Sequence, residues 1–390
     1  MTISPPSNVK VFQSGSISVL ASGIDSLSVS LQIEWQSTRL FELLTILKVE
    51  AKKTEQDQPA RLEVGSDKAD WLFVVKPHGK DGYEWILTGS EMTLKVANWQ
   101  SPKQRPSVMV DIRSETLWTH GLDAAVNRVL SLIEVMDGLC LVVKPSRVDV
   151  CVDVLLPADV WEEELRKHFV TRAHQVNPHF RNGALTGFSI GRGVTSARLY
   201  DKALEIETKS GKVWMYDIWK LRFVPPDFRV IRVEFQVRRE RLKELGCNTW
   251  TRLQVNLPGL WNYCAKHWLR LVEDASAHHT QQVLFPWWQV VVDGFVGAQG
   301  ANELVREKTF SVELARHANQ IVGGLGSIVA IESGDDFIDM DAPMEMASYC
   351  HSALDIALEN IQITDLEFTE RVAKKQPRYS RSATGFVVKP

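Results

Sequence analysis

The 390-residue sequence has few cysteines, five in all, and no Cys-x-x-Cys pair among Cys140, Cys151, Cys247, Cys264 and Cys350. An odd, unpaired set excludes a zinc ribbon and a disulfide framework. A reducing bacterial cytoplasm is the expected setting. No apolar run approaches the roughly 20 residues that a bilayer-spanning helix needs, so no membrane partner is expected. Met1 to Lys10 lacks a charged start followed by an apolar core, and is not read as a secretory signal. None of the ten histidines belongs to a strand pair separated by one hydrophobic residue. His278 and His279 are adjacent in a polar stretch, while His174 and His179 flank Asn177-Pro178 and read as surface or loop residues. Lysine and arginine are missing altogether from residues 331–370, which carry 11 acidic residues.

What is present is an ordinary globular composition, 44% hydrophobic and 24% charged, long enough for two domains or one large domain with an appendage. The net charge of −3 hides a segregation. Residues 181–246 hold 14 Lys/Arg against 8 Asp/Glu, and the tail 371–390 holds six basic residues and no acid. Such a distribution can conceal a basic working surface under a neutral total.

Periodicity predicts an amphipathic helix over 38–48, strands at 71–76, 83–87 and 107–112, and a helix at 122–136. A short helix is expected at 159–168, and a hairpin of 186–191 with 195–206 around Arg192-Gly193-Val194-Thr195. Beyond Thr249 the pattern is mostly helical and rich in tryptophan. Those rings are expected as core wedges, with one or two as stacking platforms for unpaired bases in the less favoured reading. The fold class is α+β: an antiparallel sheet with helices on one face, an open polar face, and a mainly helical C-terminal region.

Three strands define that polar face. In Arg147-Val148-Asp149-Val150-Cys151-Val152-Asp153-Val154 every even position is valine, which leaves Arg147, Asp149, Cys151 and Asp153 on the other side. The strand 231–238 likewise presents Arg232, Glu234, Gln236 and Arg238. In 196–202 the residues Arg198, Tyr200 and Lys202 share one side, so a phenol stands between two cations. A tyrosine so flanked is a plausible nucleophile for a phosphodiester, because the cations hold the phosphate and stabilise a developing phenolate. Seen singly, a mid-strand tyrosine is more often a packed aromatic, and alternating Asp and Arg a solvated face. Oxygen ligands suit Mg²⁺ or Mn²⁺. Asp149 and Asp153 stand about 13 Å apart along a strand and do not grip one ion together. Asp149 with Glu234 is the expected metal pair, with Asp153 held in reserve.

The blocks R-V-D-V-C-V-D at 147–153, G-F-S-I-G-R-G-V-T-S-A-R-L-Y-D-K at 187–202 and R-V-E-F-Q-V-R-R-E at 232–240 resemble, in that order, the replication initiation factor family. These are the Rep_trans-type rolling-circle initiators of plasmids and filamentous phages, with related relaxases of integrative elements. The likeness extends more weakly to G-I-D-S-L at 23–27 and covers roughly residues 20–300. It implies a metal-dependent DNA endonuclease in which Tyr200 is the nucleophile, leaving a 5′-phosphotyrosyl intermediate and a free 3′-hydroxyl primer. Asp149 and Glu234 would hold the metal, with Asp153 less certain, and Arg198 and Lys202 would bind the scissile phosphate. Arg147, Arg192, Arg232 and Arg238 are the expected DNA contacts, and Gly191 and Gly193 let the hairpin turn tightly. The resemblance also implies origin DNA as substrate, a homodimer and a host helicase partner. On this reading residues 1–16 are a flexible lead-in and 17–300 the nicking domain. Residues 301–366 form an acidic helical region and 367–390 a basic tail. The rivals are a relaxase with the same chemistry, a non-catalytic DNA-binding regulator on the same fold, and a hydrolase in which water attacks.

Overall fold

The computed structural model describes residues 17–62, 71–302 and 304, with parts of 320–373. Two compact units divide the chain, 1–306 and 307–390. In the second unit, Thr364 Oγ1 accepts the Glu367 N–H at 3.2 Å and Glu367 accepts the Thr364 N–H at 3.0 Å, a reciprocal cap for the helical residues 367–373. The expectations for residues 1–16, for most of the acidic block and for the basic tail lie outside the described residues.

The first unit is built on one large sheet. Its strands begin with the long β1 (Ser18–Trp35), which leads into helix α1 (Arg39–Thr54). A meander of five-residue strands follows: β2 (Gln58–Leu62), β3 (Trp71–Val75), β4 (Trp85–Gly89), β5 (Met92–Val96) and β6 (Val108–Ile112). Helices α2 (Ser114–His120) and α3 (Leu122–Val135) lead to the second long strand, β7 (Gly138–Pro157). The expected helix over 159–168 is instead two 3₁₀ turns, Ala158–Val160 and Glu163–His168.

Then come the short β8 (Phe169–Thr171), β9 (Val176–Arg181), β10 (Ala184–Ile190) and β11 (Thr195–Asp201). Helix α4 (Lys202–Glu205) runs on as a π-helical turn, Ile206–Ser210, before α5 (Met215–Trp219) and β12 (Phe228–Arg238). The unit closes with α6 (Arg239–Glu244), α7 (Trp250–Asn262), β13 (Leu269–Leu271) and α8 (Pro286–Asp293).

Eleven strands pair antiparallel in the order β2-β3-β4-β5-β6-β1-β7-β12-β11-β10-β9, and β13 pairs with β8 separately. Both outermost strands carry a proline, Pro59 in β2 and Pro178 in β9. The alternation in β7 and β12 buries Val148, Val150, Val152, Val154, Val233, Phe235 and Val237 completely. Helices α3, α6, α7 and α8 pack against β7. Trp261, Trp268, Trp287 and Trp288 are all core, Trp261 edge-on to Phe235 at 5.4 Å and bonded through its N–H to Val292 O at 3.0 Å. None of these four is placed to stack on a base.

The opposite face is polar toward Arg198 and becomes apolar at its far end. Leu155 and Val230 follow Asp153 and Arg232 on the same side, and with Ile206, Met215 and Trp219 they form a second, smaller core. Among the described residues no helix is long and apolar enough to cross a membrane.

Candidate active site

Register decides which polar side chains meet. Across β10, β11, β12 and β7, one row reads Gly187, Tyr200, Arg232, Asp153. The next reads Ser189, Arg198, Glu234, Cys151, and the one after brings Ser196, Gln236 and Asp149 into line. Two charge clusters result, with different surroundings.

In the first cluster the Tyr200 hydroxyl donates to Glu234 Oε2 at 3.1 Å. Arg198 pairs with Glu234 Oε1 and reaches Asp149 Oδ2 at 3.6 Å, while Arg147 grips Asp149 with two N–H groups, Nε at 2.8 Å. Both carboxylates are 1% exposed, whereas the Arg198 side chain is 51% exposed, so the guanidinium offers a solvent-facing edge above two dry acids. Burial pushes the Asp149 carboxyl up to about 6; the Arg147 hydrogen bond opposes this and the charge of Glu234 adds to it. Burial, and then Glu234, push the Tyr200 phenol well above its usual value. The phenol is therefore protonated at neutral pH, and it already donates that proton toward a carboxylate.

Asp149 and Glu234 also make a donor set for a hard cation. They are neighbouring oxygen ligands, shielded from water, whose ionised forms oppose one another. Among the described residues no group of three or more His, Cys, Asp or Glu side chains converges, so water and phosphate oxygens would have to complete the coordination.

The second cluster corrects two expectations. Arg232, expected at DNA, is fully buried and donates to Asp153 at 2.6 and 2.7 Å and to Asp25 at 2.5 Å. Asp153, the reserve metal ligand, is enclosed as well and takes a third bond from Trp219 Nε1 at 2.8 Å. Asp25 accepts from Ser114 at 2.8 Å, and the Trp118 ring covers Arg232 at 5.6 Å. This network is a brace between β1, β7, β12 and α5; neither Asp153 nor Arg232 has a free edge for metal or DNA.

Lys202 is displaced from its expected role too. The strand stops at Asp201, whose carboxylate accepts the Leu204 N–H at 3.0 Å and starts α4. Lys202 thus leaves the strand, is 2% exposed, pairs with Glu205 at 2.7 Å and sits 5.5 Å from the Tyr200 ring centroid. It backs the ring and does not present a cation to solvent.

Arg147 is half-buried against Asp149, and Arg238 faces it in register and is exposed. Arg192 is exposed at the β10–β11 turn, where Gly191 and Gly193 take φ of +73° and +88°. It stands at the opposite end of β11 from Tyr200.

Beside Tyr200 opens a cavity of about 310 Å³ lined by Arg198, His179, Arg181, Ser189 and Lys209. His179 and Ser189 are bonded at 2.7 Å across β9 and β10. Sequence reasoning passed over His179, Arg181 and Lys209. The signal was present at Asn182-Gly183, a hairpin turn with both residues at positive φ that folds β9 back beside β10. At Gly187 a Cβ would lie 2.6 Å from Leu199 O and 2.8 Å from Tyr200 Cβ, so the glycine lets β10 approach the nucleophile's strand. No protein-family model matches this chain, and no curated protein matches it significantly.

Proposed function

We propose that the protein is a DNA nicking and joining enzyme of the rolling-circle initiator or relaxase type, with Tyr200 as nucleophile. One observation carries the reading: the Tyr200 hydroxyl donates to a buried carboxylate, Glu234, whose other oxygen is paired with the half-exposed Arg198, at the edge of a cation-lined cavity. In the proposed reaction Glu234 takes the phenolic proton as the Tyr200 oxygen bonds to phosphorus. The bond from phosphorus to O3′ breaks, and that oxygen leaves as a free 3′-hydroxyl once protonated. The 5′ side stays on Tyr200 as a phosphotyrosyl ester, and reversal of the step rejoins the strand. The open edge of Arg198 balances charge on the phosphate oxygens. A divalent cation held by Asp149 and Glu234 would supply further charge neutralisation there.

The test is incubation with Mn²⁺ and a labelled single-stranded oligonucleotide carrying the element's own nick site, run on a denaturing gel beside Tyr200→Phe. A slow-migrating covalent band, absent from the variant, is expected. Cleavage by both proteins without an adduct would transfer the attack to water. Binding without cleavage in either would make the protein a regulator.

A further inference from the structure

A second concavity lies on the polar side of the sheet, away from Tyr200, where β6, β1 and β7 adjoin. Its volume is about 370 Å³ and its lining includes Arg105, Lys144 and Arg239, with no carboxylate among the lining residues. Elsewhere on this face the cations are answered by acids, as Arg147 is by Asp149 and Arg232 by Asp153. Here three cations converge without one.

The arrangement is held in place. Ser30 pairs with Met109 on one side and Lys144 on the other. Its Oγ donates to Lys144 O at 3.2 Å and accepts from Arg239 Nη1 at 3.2 Å. The Arg105 guanidinium lies flat over the Tyr83 ring at 4.6 Å. Gln32, in the same wall, carries a buried Oε1 with no donor, which a hydroxyl or amino group of a ligand could use. Unpaired cations fixed by hydrogen bonds and a ring make an anion site at little further ordering cost.

Position indicates the anion. Asp153 shares a row with Tyr200, and Lys144 lies nine residues earlier on β7. At about 3.3 Å per residue that is about 30 Å along the strand. One turn of B-form duplex is about 34 Å. Arg147 and Arg238 stand between the two places.

We propose that this concavity binds a backbone phosphate of duplex DNA about one helical turn from the nick site, anchoring the flanking arm. The assignment rests on the nicking reading for its substrate, but its test reads binding alone. The full chain and its Arg105→Gln/Lys144→Gln/Arg239→Gln variant are titrated with two ligands across a salt series. One is a duplex long enough to reach both places; the other is a short single strand that reaches only Tyr200. The ratio of duplex to single-strand affinity should fall about tenfold, and the log–log salt slope for the duplex should fall by about 2 to 3, one unit for each phosphate-facing cation. Lys144→Arg, which keeps the charge, should keep the slope and shows that loss in the triple variant is not misfolding.

An unchanged ratio and slope would overturn the anchoring site. So would an equal loss on a long single strand, or a loss confined to pyrophosphate or a nucleotide, which would assign the concavity to unpaired DNA or to a small phosphorylated ligand. Absence of the covalent adduct at Tyr200 sinks the nicking reading instead, and leaves the binding contrast to be read on its own.

Discussion

Arg198 and Arg232 stand on one face of neighbouring strands, and their surroundings separate them. Two acids enclose Arg232 completely, while Arg198 keeps half its side chain in solvent. Burying a charge is costly unless it is paired and bonded, so Arg232 depends on Asp25 and Asp153 together. Burial alone would push the Asp25 carboxyl up, but Arg232, Lys212 and Lys202 outweigh it and hold the group well below the usual carboxylate range. A depressed folded pKa gives stability that is present above the unfolded value of 3.8 and lost as pH falls toward the folded one. Asp25→Asn should therefore cost about 3 kcal/mol at neutral pH, since it leaves part of a buried cation unanswered. It should also show a shallower loss of stability below pH of about 4 than the wild type in urea melts. Equal acid slopes in the two proteins would place the sensitivity elsewhere. Period two alone made Arg198, Tyr200, Asp149 and Glu234 legible as one face. It could not tell a working cation from a braced one, because Asp25 reaches Arg232 only through the pairing of strands far apart in sequence.

Among elements, the β10–β11 pair controls access to the phenol. Gly187 sits opposite Tyr200, and an added methyl would meet the Leu199 carbonyl and the Tyr200 Cβ, neither of which can swing aside. Gly187→Ala should force these strands apart, lowering stability by about 1–3 kcal/mol in thermal or urea unfolding. It should also reduce adduct formation on the labelled oligonucleotide; wild-type stability and adduct yield would show that the strands adjust freely. The long alternating runs of β7 and β12 were readable because both faces were unambiguous. The end of β11 was not. Asp201 can continue a strand or cap a helix, and the helix formers Ala203, Leu204 and Glu205 settle it for α4. Strand β9 was hidden for a different reason: its Asn-Pro-His sequence lies at a solvated edge and has no apolar face to show.

At the scale of the whole molecule, α+β could be read from the order of patterns, whereas the strand order could not, since β1 finds partners that arrive much later in the chain. An open sheet of this width leaves two edges, and a proline in each removes an N–H that another strand would use. Pro178→Val should restore that donor on β9 and raise self-association, seen as a concentration-dependent mass in light scattering. A mass that stays independent of concentration would mean that other features guard this edge. The same strand order fixes a sequence in time. Ser18 meets Leu155, and Arg232 meets Asp153 only after two further strands have been made. A ribosome must therefore deliver most of the first unit before Tyr200 and Glu234 can touch, and non-local pairing of this kind is slow to form. A nascent chain would thus carry its tyrosine for much of synthesis without the base that would make it dangerous to DNA.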